Sequence, residues 1–319
     1  MKIAFPWLVA LTAILLVNFA PAHAQPKKLR PLRIALPSHT IAGTHFYVGK
    51  SLGIYEHYGF DPQLLVLEPR AALAALTTGD LDFYTATGTS TRSALRGAPV
   101  RVLMVGLNRP DHVLVVSKEI TSVDQLRGKV IGGYTANATV NVLLVEMLRK
   151  KGLKADDYKI LNIGTARFGA LISGTVPAAA LNGLETVKAL RLGYRALARA
   201  ADEVELATGG LGAFVGSIQS QREVFRAAVQ ATLESIRVAA TQREKVLPVL
   251  MKQFSLNQED VSFVYDIVQK GCALDGRPTS GSQKFEFDLA QKEMGLKEPP
   301  RPEQVYDFSL LDEIAAGRK

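Results

Sequence analysis

The chain has 319 residues, of which 47% are hydrophobic and 21% charged, and its formal charge is +8. That length is close to the size at which one core stops growing, so two cores fit, and the composition excludes a disordered or collagen-like chain. Lys and Arg are scattered, without zinc-finger spacing and without aromatics alternating with basic residues, which excludes nucleic acid as a partner.

Met1-Lys2 is a short positive start, residues 3–19 are almost wholly apolar, and Ala22-His23-Ala24 is a small-residue cleavage pattern. Residues 1–24 therefore read as a secretory signal peptide, cut after Ala24. No later apolar run is long enough for a membrane span. No cysteine follows the cleavage site to carry a lipid anchor, so the expected location is the periplasm. Cys272 is the single cysteine, and no intramolecular disulfide is available.

Residues 32–36 predict a strand ended by Pro37, and 38–44 are small and polar. A helix follows over 44–52, with Gly53 at its end, and then a strand over 63–67. A right-handed crossover makes these two strands parallel. The pattern repeats with a helix over 70–77, a strand over 81–84, a hydroxyl-rich stretch 85–90, a helix over 90–95, and strands over 100–106 and 112–117. A second, similar set has a turn of helix at 124–126, a strand over 130–132 and a helix over 137–150. Val140, Leu143, Leu144, Met147 and Leu148 give that helix one apolar face. Next come a strand over 159–163, a helix over 166–172, a strand over 176–181 and a helix over 184–191. The remaining chain predicts helices over 221–240, 243–254, 257–270 and 285–294, a loop over 272–283, and a last short helix.

Four strand-to-helix loops are rich in Ser, Thr and Asn: 38–44, 85–90, 132–137 and 182–185. Loops at the carboxyl ends of parallel strands are where open sheets bind ligands. Free N–H groups at the helix starts can hold an anion or a carbonyl oxygen. The candidate ligand-contacting residues are Ser38, His39 and Thr40 in the first loop and Thr87, Gly88, Thr89 and Ser90 in the second. Tyr134, Thr135, Ala136 and Asn137 belong to the third, and Asn182 and Glu185 to the fourth. Each loop alone also reads as an ordinary helix cap; two loops in each half of the chain would clasp a ligand in the gap between them. Phe46, Tyr47, Tyr84 and Phe168 are aromatic candidates to enclose it. Arg70, Arg92, Arg109 and Arg167, near strand ends, can pair with a carboxylate or sulfonate.

The sequence contains no G-x-S-x-G, no H-E-x-x-H and no dinucleotide or phosphate-loop fingerprint. No catalytic residue, metal ligand or cofactor is assigned.

Several stretches resemble a known family. They are 47–60 (Tyr-Val-Gly-Lys-Ser-Leu-Gly-Ile-Tyr-Glu-His-Tyr-Gly-Phe), 71–76, 78–83 (Thr-Gly-Asp-Leu-Asp-Phe), 97–100 (Gly-Ala-Pro-Val), 120–132 and 173–179. In order and spacing the chain resembles the substrate-binding components of ABC importers for nitrate, sulfonates and taurine, a group that includes thiamine-pyrimidine-synthase-like proteins. The resemblance implies an α/β fold of the type II periplasmic-binding-protein kind. It has two lobes, each with a mostly parallel central sheet flanked by helices, and a ligand cleft between them. Lobe one would comprise residues 25–117 and 213–319 and lobe two 118–212, with crossovers near 115–120 and 206–214. The resemblance further implies a monomeric, non-enzymatic receptor. It would carry a small anionic organic solute, such as a sulfonate or carboxylate, to an inner-membrane ABC permease and its ATPase. A sensory receptor, or an enzyme acting on a pyrimidine-like substrate, is the alternative on the same fold. The cysteine-rich motif of the synthase relatives is absent, which argues against pyrimidine synthesis.

Overall fold

The computed structural model describes residues 28–134 and 139–317. The expected signal peptide 1–24, its cut after Ala24, and the candidates Thr135, Ala136 and Asn137 lie outside the described residues.

Among the described residues, ten strands form two five-stranded sheets. The first sheet holds β1 (Arg30–Leu36), β2 (Phe60–Val66), β3 (Phe83–Tyr84), β4 (Val100–Met104) and β10 (Leu211–Phe214), in the order β2-β1-β3-β10-β4. The second holds β5 (Val113–Val116), β6 (Val130–Gly133), β7 (Lys159–Asn162), β8 (Ala178–Leu181) and β9 (Arg195–Arg199), in the order β7-β6-β8-β5-β9. β10 runs antiparallel to both its neighbours, and so does β5. In each sheet the other four strands therefore point one way. The odd strand is in both cases the first one laid down after the chain changes lobe.

The two sheets bury separate apolar cores. Around the first, Ile34, Phe46, Phe83 and Phe225 pack with Leu233 and Leu310. Around the second, Leu114, Ile131, Leu144, Met147 and Leu148 pack with Ala178 and Ala180. Burying one such large side chain stabilises the fold by about 1.5–3 kcal/mol. The predicted apolar face of the helix Thr139–Lys150 is used as its spacing requires: Leu143, Leu144, Met147 and Leu148 are all buried. The helices Arg222–Thr241, Arg243–Phe254 and Gln258–Gly271 follow β10 in the chain, and together they supply the apolar layer beside Ile41 and Val48.

The stretch 113–117 was expected in lobe one. Instead β5 pairs with β8 and β9 in the second sheet. Both faces of β5 are buried, so its sequence carries no alternation that could reveal which sheet it joins. The chain passes from one sheet to the other over 105–112 and returns over 200–210. These two passages pair with each other: the Leu107 and Thr208 backbones exchange hydrogen bonds of 2.9 and 2.8 Å, and Leu206 N–H donates to the Asn108 carbonyl at 2.9 Å. A third segment joins them. Asn108 N–H donates to the Gly271 carbonyl at 2.7 Å, and Ala273 N–H to that of Gly106 at 2.8 Å. The hinge thus consists of three backbones rather than two. His45 is wholly buried against it, where Gly106 and Gly209 leave room that a Cβ would fill. Burial lowers the His45 pKa to about 4.

Candidate functional site: a cleft between the lobes

A cleft of about 370 Å³ lies between the two sheets. Its walls come from the carboxyl ends of parallel strands: Ser38, His39 and Thr40 follow β1, Thr85 follows β3, Tyr134 follows β6 and Asn182 follows β8. This is the position that open α/β sheets use for ligands.

On the first-lobe wall, the helix Thr87–Leu95 begins in the cleft, and its N-cap Ala86 supplies no side-chain cap. The N–H groups of its first turn lack intrahelical partners, and the helix dipole adds partial positive charge there. Thr87 Oγ1 donates to the Ala207 carbonyl at 2.7 Å, which ties the helix start to the returning passage. One turn further in, Arg92 Nη1 lies 3.3 Å from Glu286 Oε1, and its Nε lies 3.7 Å from Glu293 Oε2. Glu286 is only 2% exposed. Burial pushes its pKa up to about 7, with Glu293 adding to the rise and Arg92 opposing it. At the mouth of this wall, His39 Nδ1 and the Tyr47 hydroxyl are 3.2 Å apart.

The second-lobe wall is built from side chains. Asn182 caps the helix Gly183–Arg191: its Oδ1 accepts from Glu185 N–H at 2.9 Å, while Glu185 Oε2 accepts from Asn182 N–H at 3.1 Å. This reciprocal box fixes Glu185, and the same carboxylate accepts from Arg167 Nη2 at 3.3 Å. The Arg167 guanidinium lies over the Tyr134 ring, 4.9 Å from its centroid. Its side chain is 5% exposed, and its Nε and Nη1 have no hydrogen-bond partner among the described residues. Asp111 Oδ2 accepts from Gly183 N–H at 3.3 Å, and Asp111 Oδ1 lies 3.4 Å from His112 Nδ1. Burial holds the His112 pKa below its ordinary value. Arg167 acts in the same direction, and Asp111 and Glu185 act against it.

The cleft brings together Ser38, His39, Thr40, Thr87, Gly88, Thr89, Tyr134, Asn182 and Glu185. Ser90 and the aromatic candidates Phe46, Tyr47, Tyr84 and Phe168 lie elsewhere: Tyr47 packs in the first core, Tyr84 beside Leu76 and Leu81, and Phe168 against the cluster of Leu171 and Val176. Phe46 is part of the first core, with its ring 4.1 Å from that of His45. Ser90 is buried beside Gly212 of β10, because the helix begins at Thr87 rather than at residue 90 and turns Ser90 toward the sheet. Of the candidate arginines, Arg92 and Arg167 line the cleft. Arg70 is exposed on the helix Pro69–Thr78, and Arg109 Nη1 donates to the Ala201 carbonyl at 2.6 Å across the hinge. Asp111, His112, Thr165 and Glu286 line the cleft without having been singled out. A signal for Glu286 existed: Ser282, Glu286 and Ala290 are spaced four apart and all are buried, so a carboxyl stands on a helix's inward face. Cys272 pairs with Leu107 in the hinge and does not line the cleft. Burial pushes its thiol pKa up to about 12.

Two lobes, each with four like-directed strands and one reversed, and a cleft at the strand ends define a type II periplasmic-binding-protein fold. Residues 40–246 match the family model described as NMT1/THI5 like, and the chain belongs to that family. No curated protein sequence matches it. Among solved structures it is similar to the periplasmic aliphatic sulphonate binding protein SsuA from Escherichia coli. The identity is 18% and the TM-score 0.69, over 89% of this chain and 99% of that one. It is also similar to the periplasmic nitrate-binding protein NrtA from Synechocystis PCC 6803, with 10% identity and a TM-score of 0.68, over 91% of this chain and 89% of that one. The desulfurization enzyme DSZB shares the fold as well, with 14% identity and a TM-score of 0.69, over 91% of this chain and 100% of that one. At these identities the likeness establishes the fold.

Proposed function

We propose that this protein is a periplasmic solute receptor that binds a small organic anion and hands it, as a monomer and without catalysis, to the permease of an ABC importer. The observation that carries this reading is Arg167, a buried guanidinium whose Nε and Nη1 meet no acceptor among the described residues, in a cleft whose opposite wall is an uncapped helix start. Leaving charged donors desolvated and unpaired costs more than about 1–3 kcal/mol, which an incoming anion offsets. The cleft volume is within the range of sites for small molecules. Pro110, Val140, Leu143 and Leu206 add apolar lining for an organic body. The sulphonate- and nitrate-binding names of two fold neighbours support the same solute class.

DSZB makes an enzyme the rival reading. Against it, Asp111 and Glu185 are both engaged by backbone N–H groups, and the only thiol lies in the hinge. The test is calorimetry and thermal shift of the purified protein with alkyl and aromatic sulfonates, carboxylates, nitrate and neutral pyrimidines. A ligand that binds only the folded form raises its apparent stability. Binding of an organic monoanion is expected. Binding confined to neutral pyrimidines, or turnover of any bound compound, would overturn the proposal.

A further inference from the structure

Glu286 differs from the rest of the cleft lining in origin. It comes from the helix Ser280–Met294, beyond the residues 40–246 that match the family model, and yet its side chain reaches the cleft. Among the described residues, the groups that face it are few. From the helix Thr87–Leu95 come Arg92 and the backbone at Gly88, from its own helix Glu293 by way of Arg92, and from beyond the turn Pro302–Val305 the Tyr306 ring. One guanidinium thus stands between two carboxyl groups. Gly88 sets how closely they approach the helix start: a Cβ there would lie 3.1 Å from Arg92 Nη2 and 3.2 Å from Glu286 Oε1. The first turn of the helix therefore rests directly on this trio.

With both carboxyls ionised, the trio carries one net negative charge beneath the N–H groups that face the cleft. With Glu286 protonated, it carries none. An anion seated at that helix start meets like-charge repulsion in the first state and not in the second.

We infer that Glu286 couples solute to proton: an anionic headgroup occupies the Thr87–Thr89 helix start only when the Glu286 carboxyl is protonated, so a solute that binds while the empty cleft is ionised brings one proton with it. This rests on the anion-receptor reading above. Burial already makes the carboxyl a weak acid, with its pKa near neutrality in the empty cleft. A bound anion raises it further, so above neutrality binding draws a proton from solution. His45, its pKa lowered by burial to about 4, stays neutral throughout that window, and burial lowers the His112 pKa as well.

The experiment is titration calorimetry with methanesulfonate and benzenesulfonate, which stay ionised between about pH 6 and 9. It is run in two buffers of different ionisation heat, on the wild type and on Glu286→Gln. The wild type is expected to take up close to one proton per solute at alkaline pH, and its affinity to fall nearly tenfold per pH unit. Glu286→Gln is expected to bind with no proton uptake and no pH slope. A wild-type affinity that is flat with pH, with equal heats in both buffers, would overturn the inference while leaving the receptor reading intact. A slope that survives in Glu286→Gln would overturn it too, by placing the proton on another group of the cleft. If neither sulfonate binds at any pH, the anion reading fails and the inference falls with it. If the variant does not fold, wild-type heats that are equal in both buffers still overturn the inference.

Discussion

The two walls of the cleft are made by different means. The first-lobe wall offers main-chain N–H groups at the start of the helix Thr87–Leu95, with an arginine already balanced between Glu286 and Glu293. The second-lobe wall offers a side chain, Arg167, propped by Glu185 and the Tyr134 ring, with two donors that have no partner among the described residues. A helix start is fixed by the fold and tolerates substitution, because no side chain supplies it. A guanidinium is set by its neighbours and fails when one of them is removed. One wall should therefore resist single mutations, and the other should not.

The largest effects should come from the cores that hold the walls rather than from the walls. Phe83→Ala empties a buried site where the ring meets Phe225 at 5.0 Å between centroids. It should destabilise the protein by about 3–5 kcal/mol, read as a lower urea midpoint. Arg167→Ala should weaken binding of an organic sulfonate about 100-fold by calorimetry, as expected for two charge-assisted hydrogen bonds of about 1.5 kcal/mol each. An Ala substitution at Thr87 should cost far less, since the backbone donors remain. Equal losses from the two would erase the distinction between the walls.

The hinge gives a pH test of comparable size. His45 is wholly buried and its pKa falls from 6.5 to about 4, so the unfolded chain binds more protons than the folded one between those values. Its contribution is present above about pH 6.5 and is lost as pH falls toward 4, by about 3 kcal/mol in total. Glu286 works in the opposite sense. Its folded pKa is raised from 4.5 to about 7, so the stability it contributes at low pH is lost as pH rises through that window. The measurement that isolates His45 is the difference in urea midpoint between the wild type and His45→Asn across this range. A constant difference would contradict the burial argument. The smallest effect is expected at Asn182→Ala, which removes a helix cap worth about 1 kcal/mol, seen as a modest drop in melting temperature together with a slight loss of affinity through Glu185.

The strands β1, β6, β7 and β8 and the helices Thr44–Ser51 and Thr139–Lys150 were legible because each has its own apolar pattern and punctuation. β9 and β10 were not. Arg195–Arg199 begins and ends on arginine, and Leu211–Phe214 is four residues long with a glycine inside, so neither carries a period that marks a strand. The helix Ser280–Met294 was read five residues too short because Ser280-Gly281-Ser282 resembles a loop. In the structure Thr279 Oγ1 accepts from Ser282 N–H at 3.0 Å and starts the helix there. That missing turn hid the inward line on which Glu286 stands. At the site, local loop chemistry pointed to Thr40, Thr87 and Tyr134. What sequence could not show is which of four arginines turn into the cleft, because that depends on contacts between residues far apart, such as Arg92 with Glu286.

Amide and guanidinium NMR of the purified protein tests the convergence of the two walls most directly, by titrating benzenesulfonate and following the Thr87, Gly88 and Thr89 backbone signals together with Arg167 Nε–H. All four are expected to shift on one saturation curve, because one anion touches both walls. Shifts confined to a single wall, or two curves with different midpoints, would contradict it.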